Sequence, residues 1–165
     1  MKSNKPRSSQ SKVLSPVKAA ELCRKAARQG KRVVFTNGCF DILHPGHVQY
    51  LEAARSKGDF LVVALDTDAA VRKLKGVGRP VNPLKSRMAV LSGLESVDAV
   101  TWFGGANPIP TIKKLHPQVL VKGGDWEVSK ILGSREVLEW GGRVYSVQYL
   151  EGKSTTKIIE KIKGK

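Results

Sequence analysis

Five short apolar runs rich in β-branched residues recur along this chain: Val33 to Thr36, Phe60 to Leu65, Val97 to Phe103, Val119 to Lys122 and Val144 to Tyr149. Runs of this length, bounded by turn residues, read as strands. Stretches with apolar residues at helical spacing lie between and after them, at His47 to Ser56, Leu84 to Leu94, Ile109 to Leu115, Ser134 to Trp140 and Thr155 to Lys163. Strand and helix in alternation leave few topologies, because parallel neighbours need a crossover and the crossover is right-handed. The expected fold is α/β, a Rossmann-like doubly wound five-stranded parallel sheet with helices on both faces, in a single domain. Ligands of such sheets sit at the carboxyl ends of the strands, near the point where strand order reverses.

A length of 165 residues with 41% hydrophobic content suits one domain with one enclosed core. Residues 1–15 carry Lys2, Lys5, Arg7 and Lys12 among Ser, Asn, Gln and Pro, offer almost nothing to bury, and read as a disordered basic tail before a domain spanning 16–165. That domain opens with an amphipathic helix over 16–30, with Pro16 at its start, Gly30 at its stop and Val17, Ala20, Leu22 and Ala26 on one side. No apolar stretch is long enough to cross a bilayer and the first residues lack a signal peptide's apolar segment, so a cytoplasmic protein away from membranes is expected. Two cysteines, Cys23 and Cys39, make no disulfide framework. A net charge of +15 favours an anionic partner: nucleic acid, a membrane surface or phosphorylated small molecules. A basic nucleic-acid-binding module is the rival from another class. It lacks aromatic residues interleaved with its basic runs and any helix-turn-helix or zinc-finger spacing, so no nucleic-acid partner is expected.

The most informative segment is VVFTNGCFDILHPGH, Val33 to His47, where a buried strand runs through a turn into a helix beginning near Pro45. Free backbone donors and the positive end of a helix dipole would face whatever binds this loop, which suits phosphate. Gly38 and Gly46 permit close approach of a ligand to the backbone. His44 and His47, three residues apart, share a helix face and can both donate to one phosphate. Alternatively one caps the helix and the other packs beneath the loop. Zinc has little support, since only Asp41 stands nearby as a further ligand.

GCFDILHPGH resembles the signature of the cytidylyltransferase-like nucleotidyltransferases, whose His-x-Gly-His motif binds and activates a triphosphate. EGKSTTKII, Glu151 to Ile159, resembles that family's second motif at the start of the last helix. The resemblance makes His44, His47 and Lys75 the catalytic candidates. It places Thr36, Asn37, Gly38, Cys39, Phe40, Gly46, Lys122, Gly123, Asp125, Gly152, Ser154, Thr155 and Thr156 around the nucleotide, and Asp41, Arg79 and Arg87 near the second substrate. Each has a plainer reading: Ser154 as a helix cap, Gly123 to Asp125 as a tight turn, and the cations as a solvated face.

Over Arg32 to Ile162 the chain is most similar to the heptose 1-phosphate adenylyltransferases, on the strength of TNGCFDILHPGH, LKGVGRPVNP, SRMAVLSGL, VLVKGGDW and EGKSTT. This resemblance implies transfer of AMP from ATP to D-glycero-β-D-manno-heptose 1-phosphate, giving ADP-heptose for lipopolysaccharide, with Mg²⁺ carried mainly by the ATP phosphates and no protein metal site. It also implies a homodimer and a separate heptose kinase. Glycerol 3-phosphate cytidylyltransferases are the close alternative. They carry Arg-Thr-x-Gly where this chain has Tyr149-Leu150-Glu151-Gly152, and an apolar or aromatic residue suits adenine better than cytosine. The chain departs from the heptose pattern at Asp66, where asparagine is common, at Lys153, where cysteine is common, and over Gly104 to Pro108, where an acidic stretch is usual.

Overall fold

The computed structural model describes residues 8–148 and 154–164. Five parallel strands, β1 (Val33–Gly38), β2 (Phe60–Asp66), β3 (Ala99–Phe103), β4 (Val119–Gly123) and β5 (Arg143–Val147), form one sheet in the order β3-β2-β1-β4-β5. The order reverses at β1, so the crevice between β1 and β4 at their carboxyl ends is the place where such a sheet receives a ligand. Around the sheet lie α1 (Pro16–Arg28), α2 (Pro45–Arg55), α3 (Asp68–Lys75), α4 (Leu84–Ser92), α5 (Ile109–Leu115), α6 (Ser134–Glu139) and α7 (Thr155–Ile162). Among the described residues no helix is long and apolar enough to cross a membrane.

The central strands are buried on both faces, which is why they read as continuous apolar runs and not as alternating ones. Val33, Phe35, Val62, Ala64, Ala99 and Leu120 pack with Ala19, Ala20, Cys23 and Ala26 of α1 and with Ile112 and Leu115 of α5. Their neighbours in sequence, Val34, Leu61, Val63, Val100 and Val121, pack with Tyr50, Leu51 and Ala54 of α2 and Met88 and Leu91 of α4. Both faces therefore close over helices, as the alternation requires.

Ordered structure begins before Pro16, which corrects the tail boundary read from the sequence; residues 1–7 lie outside the described residues. Ser9–Lys12 forms a 3₁₀ turn, Val13 bridges Val100, the Leu14 amide donates to the Val100 carbonyl at 2.9 Å, and the Lys12 ammonium donates to the Leu94 carbonyl at 2.9 Å. Val13 and Leu14 are the only strongly apolar residues here, and they dock on the free edge of β3, where unpaired backbone groups await partners. Helix α3 was not foreseen either. Only Val71 is buried in it, so it lacks the apolar stripe that marks a packed helix.

Deleting residues 1–14 is expected to lower the urea midpoint relative to deletion of 1–7 alone, by about 1–3 kcal/mol of stability for the lost burial of Val13 and Leu14. Equal midpoints for the two truncations would show that this edge contact carries no weight.

Candidate active site

The loop from Cys39 to His44 joins β1 to α2 at the carboxyl edge of the sheet. It turns sharply at Phe40, whose φ of 46° lies in the left-handed region that non-glycine residues avoid. The turn tucks the Phe40 ring inward, where it is 8% exposed and stands 5.2 Å from the His47 ring. A Cβ on Gly38 would come within 3.1 Å of that ring, so Gly38 serves internal packing as well as leaving the strand end open.

His44 occupies the N-cap position of α2, but its side chain does not cap the helix. Its ring instead stacks on His47 with centroids 3.8 Å apart and an interplanar angle of 24°. Two imidazoles this close cannot both carry charge. Burial, then the neighbouring His44, push the His47 pKa down to about 4, against an opposite pull from the Ile42 carbonyl. At neutral pH His47 is thus an uncharged ring with one N–H to donate.

The second helix start comes to the same loop. Ser154 caps α7 by accepting from the Lys157 amide at 3.1 Å, and the Thr155 hydroxyl donates to the Ile42 carbonyl at 3.2 Å. Residues 113 positions apart are thereby brought together, and the N-terminus of α7 opens beside the paired histidines. Thr156 follows in the first turn of the same helix. Gly152, expected to border the nucleotide, lies outside the described residues, as do Tyr149, Leu150, Glu151 and Lys153.

Three residues expected at the substrates have other partners. Thr36 is fully buried and its hydroxyl pairs with the Tyr50 hydroxyl at 2.6 Å, so it braces β1 against α2 and presents no side chain to a ligand. Asp41 accepts from Arg79 Nε at 2.6 Å, the Val81 amide at 2.9 Å and the Asn82 amide at 2.9 Å. Burial raises its pKa, but the two amides and the guanidinium outweigh that and hold the carboxyl below its ordinary range. It is a staple between the histidine loop and residues 79–82, and not a ligand for sugar or metal-bound water. Arg87, 1% exposed, donates Nε to the Asn82 carbonyl, Nη1 to the Cys39 carbonyl, and Nη2 to the Asp66 carbonyl and the Asp68 carboxylate. Its guanidinium is committed to the protein and cannot also take a sugar phosphate. Sequence alone offered no signal for this, since an arginine among exposed cations looks like one of them.

Lys122, Cys39 and Lys75 lie at or near the carboxyl edge, whereas Gly46 is buried in the first turn of α2. Lys122, half-buried, places its ammonium 3.4 Å from the Asn37 carbonyl. Cys39 donates its thiol to Asp66 Oδ2 at 3.7 Å. Its pKa is raised, chiefly by burial and then by Asp66, while Lys75 pulls it down, so the exposed Lys75 at the end of α3 stands within electrostatic reach of this edge. Arg79 reaches the site only through its bond to Asp41. The turn after β4 is self-contained. Gly124, at φ 120°, leaves room for the Trp126 indole, whose N–H donates to the Gly123 carbonyl at 3.0 Å, and Ser146 ties the turn to β5. Asp125 is exposed at its tip. Among the described residues no group of three His, Cys, Asp or Glu side chains is arranged to hold a metal.

A parallel sheet with two helix starts, paired imidazoles and a lysine near its switch point suits a nucleotide-handling α/β domain. The chain belongs to the cytidylyltransferase-like family of nucleotidyltransferases, whose family model matches residues 35–161. It is 51% identical over 149 residues, 90% of its length, to the bifunctional protein HldE of Marinomonas sp., and 56% identical over 137 residues to that of Methylococcus capsulatus. It spans only 31% and 29% of those relatives. Among solved structures, a lipopolysaccharide core biosynthesis protein from Thermoplasma volcanium superposes with a TM-score of 0.61 at 28% identity, over 75% of this chain and all of that one. Pantothenate synthetase from Thermus thermophilus, at 18% identity and a TM-score of 0.56, covering 90% of this chain and 70% of that one, shares the fold alone.

Two outcomes are expected. Arg87→Met strands three carbonyls and the Asp68 carboxylate and should cost about 3 kcal/mol in urea unfolding; a loss below about 1 kcal/mol would mean the guanidinium is replaceable. For His47, the unfolded chain takes up a proton as pH falls through about 6.5, which the folded site refuses until about 4. Stability is therefore lost as pH falls across that window. His47→Gln should shrink the fall in Tm across it, and an unchanged fall would show that another group is responsible.

Proposed function

We propose that this domain transfers AMP from ATP to D-glycero-β-D-manno-heptose 1-phosphate, releasing pyrophosphate and giving ADP-heptose for lipopolysaccharide core synthesis. The observation that carries the reading is the Thr155 to Ile42 hydrogen bond, which sets the start of α7 against the loop bearing His44 and His47. The resemblance over Arg32 to Ile162, the identity to the HldE proteins and the likeness to a lipopolysaccharide core biosynthesis protein support the choice of sugar. The rest of the relatives' length leaves space for a second activity, which we assign to the heptose kinase that makes the sugar 1-phosphate. We read the enzyme as a cytoplasmic homodimer on the family resemblance.

The nucleophile is a phosphate oxygen of the sugar 1-phosphate, already an anion at neutral pH. A bond forms from it to the α-phosphorus as the bond from that phosphorus to the pyrophosphate oxygen breaks, and no side chain needs to accept a proton. The difficulty is electrostatic: two anions must meet in line while charge builds on the departing pyrophosphate. His47, half-buried, and His44 stacked on it would turn their ring N–H donors to the phosphates. Ser154 and Thr156 offer hydroxyls and the positive end of α7 to the triphosphate tail, while the Thr155 hydroxyl holds that helix start against the histidine loop. Lys122 at the switch point and Lys75 at the rim supply positive charge. Mg²⁺ would be held by phosphate oxygens and water and would neutralise charge on the triphosphate. Asn37 and Gly38 would line the approach, with Gly123 and Asp125 on the base side. Arg79 acts on the site through its bond to Asp41, which steadies the histidine loop.

His44→Ala and His47→Ala should each lower turnover by about 10²-fold with the fold intact. Near-wild-type turnover in both would remove them from the mechanism. The assignment of substrates is tested by pyrophosphate release with ATP, CTP or GTP paired with heptose 1-phosphate or glycerol 3-phosphate. Release with ATP and heptose 1-phosphate alone is expected; release only with CTP and glycerol phosphate would overturn the assignment and keep the reaction type.

A further inference from the structure

The sheet forks at its switch point. β1 and β4 pair only through Val34 with Val119 and Phe35 with Leu120, whereas β1 stays paired with β2 as far as Gly38 and β4 with β5 as far as Gly123. Beyond Phe35 and Leu120 the two halves of the sheet part, and the last residues of β1 and β4 form the walls of the crevice. Polar groups along a buried gap of this kind need partners from elsewhere.

Tyr50 of α2 supplies one. It is 3% exposed, and its hydroxyl donates to the Val121 carbonyl of β4 at 3.3 Å while standing 2.6 Å from the Thr36 hydroxyl of β1. A phenol has one proton to give; with that proton on Val121, the Thr36 hydroxyl is the donor to Tyr50. Thr36 and Val121 each follow the last ladder pair of their strand, so the phenol spans the fork at its base. Lys122 spans it one residue further along, from its ammonium to the Asn37 carbonyl at 3.4 Å. Tyr50 also lies one helical turn beyond His47, on the same side of α2. A single hydroxyl thus ties the helix that carries His47 to both walls of the crevice.

We infer that the Tyr50 hydroxyl is a strut that sets the width of the β1–β4 fork and with it the spacing of His47 from Lys122, which makes Tyr50 a positioning residue for the transfer. The strut stands on the hydrogen bonds alone, and its consequence for turnover rests on the function proposed above. Width matters because an in-line transfer loses as much as about 10²-fold in rate when its groups are misplaced by about 1 Å. Phenylalanine at this position would keep the packing of the ring and lose the tie.

The full chain labelled with ¹⁵N-histidine reports on the strut without any reaction, since it has three histidines and His116 precedes β4 at the end of that strand away from the fork. In NMR spectra, Tyr50→Phe should move the ring signals of His47 and leave those of His116 in place. Unmoved His47 signals overturn the strut, and so does equal movement of all three rings, which would mark general loosening. In turnover, Tyr50→Phe should lower kcat about tenfold with KM for ATP within about twofold of wild type. A raised KM with kcat kept overturns the positioning role. Added to His47→Ala, Tyr50→Phe should cost less than about twofold more; a further tenfold loss would show that the hydroxyl does not act through His47. Thr36→Val removes the other hydroxyl at nearly the same side-chain shape and should lower kcat in the same way, whereas Thr36→Ser should keep it; equal turnover in these two overturns the strut even if Tyr50→Phe does not fold. Absence of turnover in the wild type with every triphosphate would instead count against the proposed function, and the histidine signals would still decide the strut.

Discussion

The guanidinium of Arg87 is the interaction on which the geometry of this site depends. A buried cation is tolerated only when its donors are paired, and the partners of Arg87 come from three places: the Cys39 carbonyl after β1, the Asp66 carbonyl at the end of β2 with the Asp68 carboxylate just beyond, and the Asn82 carbonyl before α4. Satisfying one arginine therefore locks the ends of two strands and the entry to a helix into a single arrangement. Asp41 repeats the device in the opposite sense, a buried anion whose needs are met by Arg79 and the amides of Val81 and Asn82. Between the two clamps the histidine loop has little freedom, which is how Phe40 can be kept at a positive φ.

This division of labour separates side chains left open at the carboxyl edge from side chains that hold them still. Asp41 and Arg87 look like substrate ligands because they are charged and lie in the right stretch of chain. Both are spent on the protein. In the proposed transfer the groups left to face phosphate are mainly neutral or weakly basic donors at helix starts, with lysines at the switch point and the rim. For the proposed reaction, whose nucleophile is already an anion, such a set has the right character: it lowers the cost of gathering negative charge without offering a base that nothing requires.

Asp66 marks a departure from the heptose pattern, in which asparagine is common at this position. The basic character of the chain, +15 overall, gives the site a favourable long-range field for phosphorylated substrates.

Much of the fold was legible in the sequence. Strands and helices were read within a few residues because apolar period and length are local properties, and α3 was missed because only Val71 is buried in it. The two phosphate-type helix starts were legible as well, since Pro45 and Ser154 mark them through their own backbone chemistry. What the residues in order could not decide was which side chains meet. The Thr155 bond to Ile42, the burial of Arg87 and the closure of Asp41 on residues 79–82 join positions 38 to 113 apart, and the stacking of His44 on His47 depends on the loop those clamps hold. Local spacing determines what a segment becomes, but the charge state and partners of a side chain depend on the dielectric and the neighbours around it. Those exist only once distant strands have been packed together.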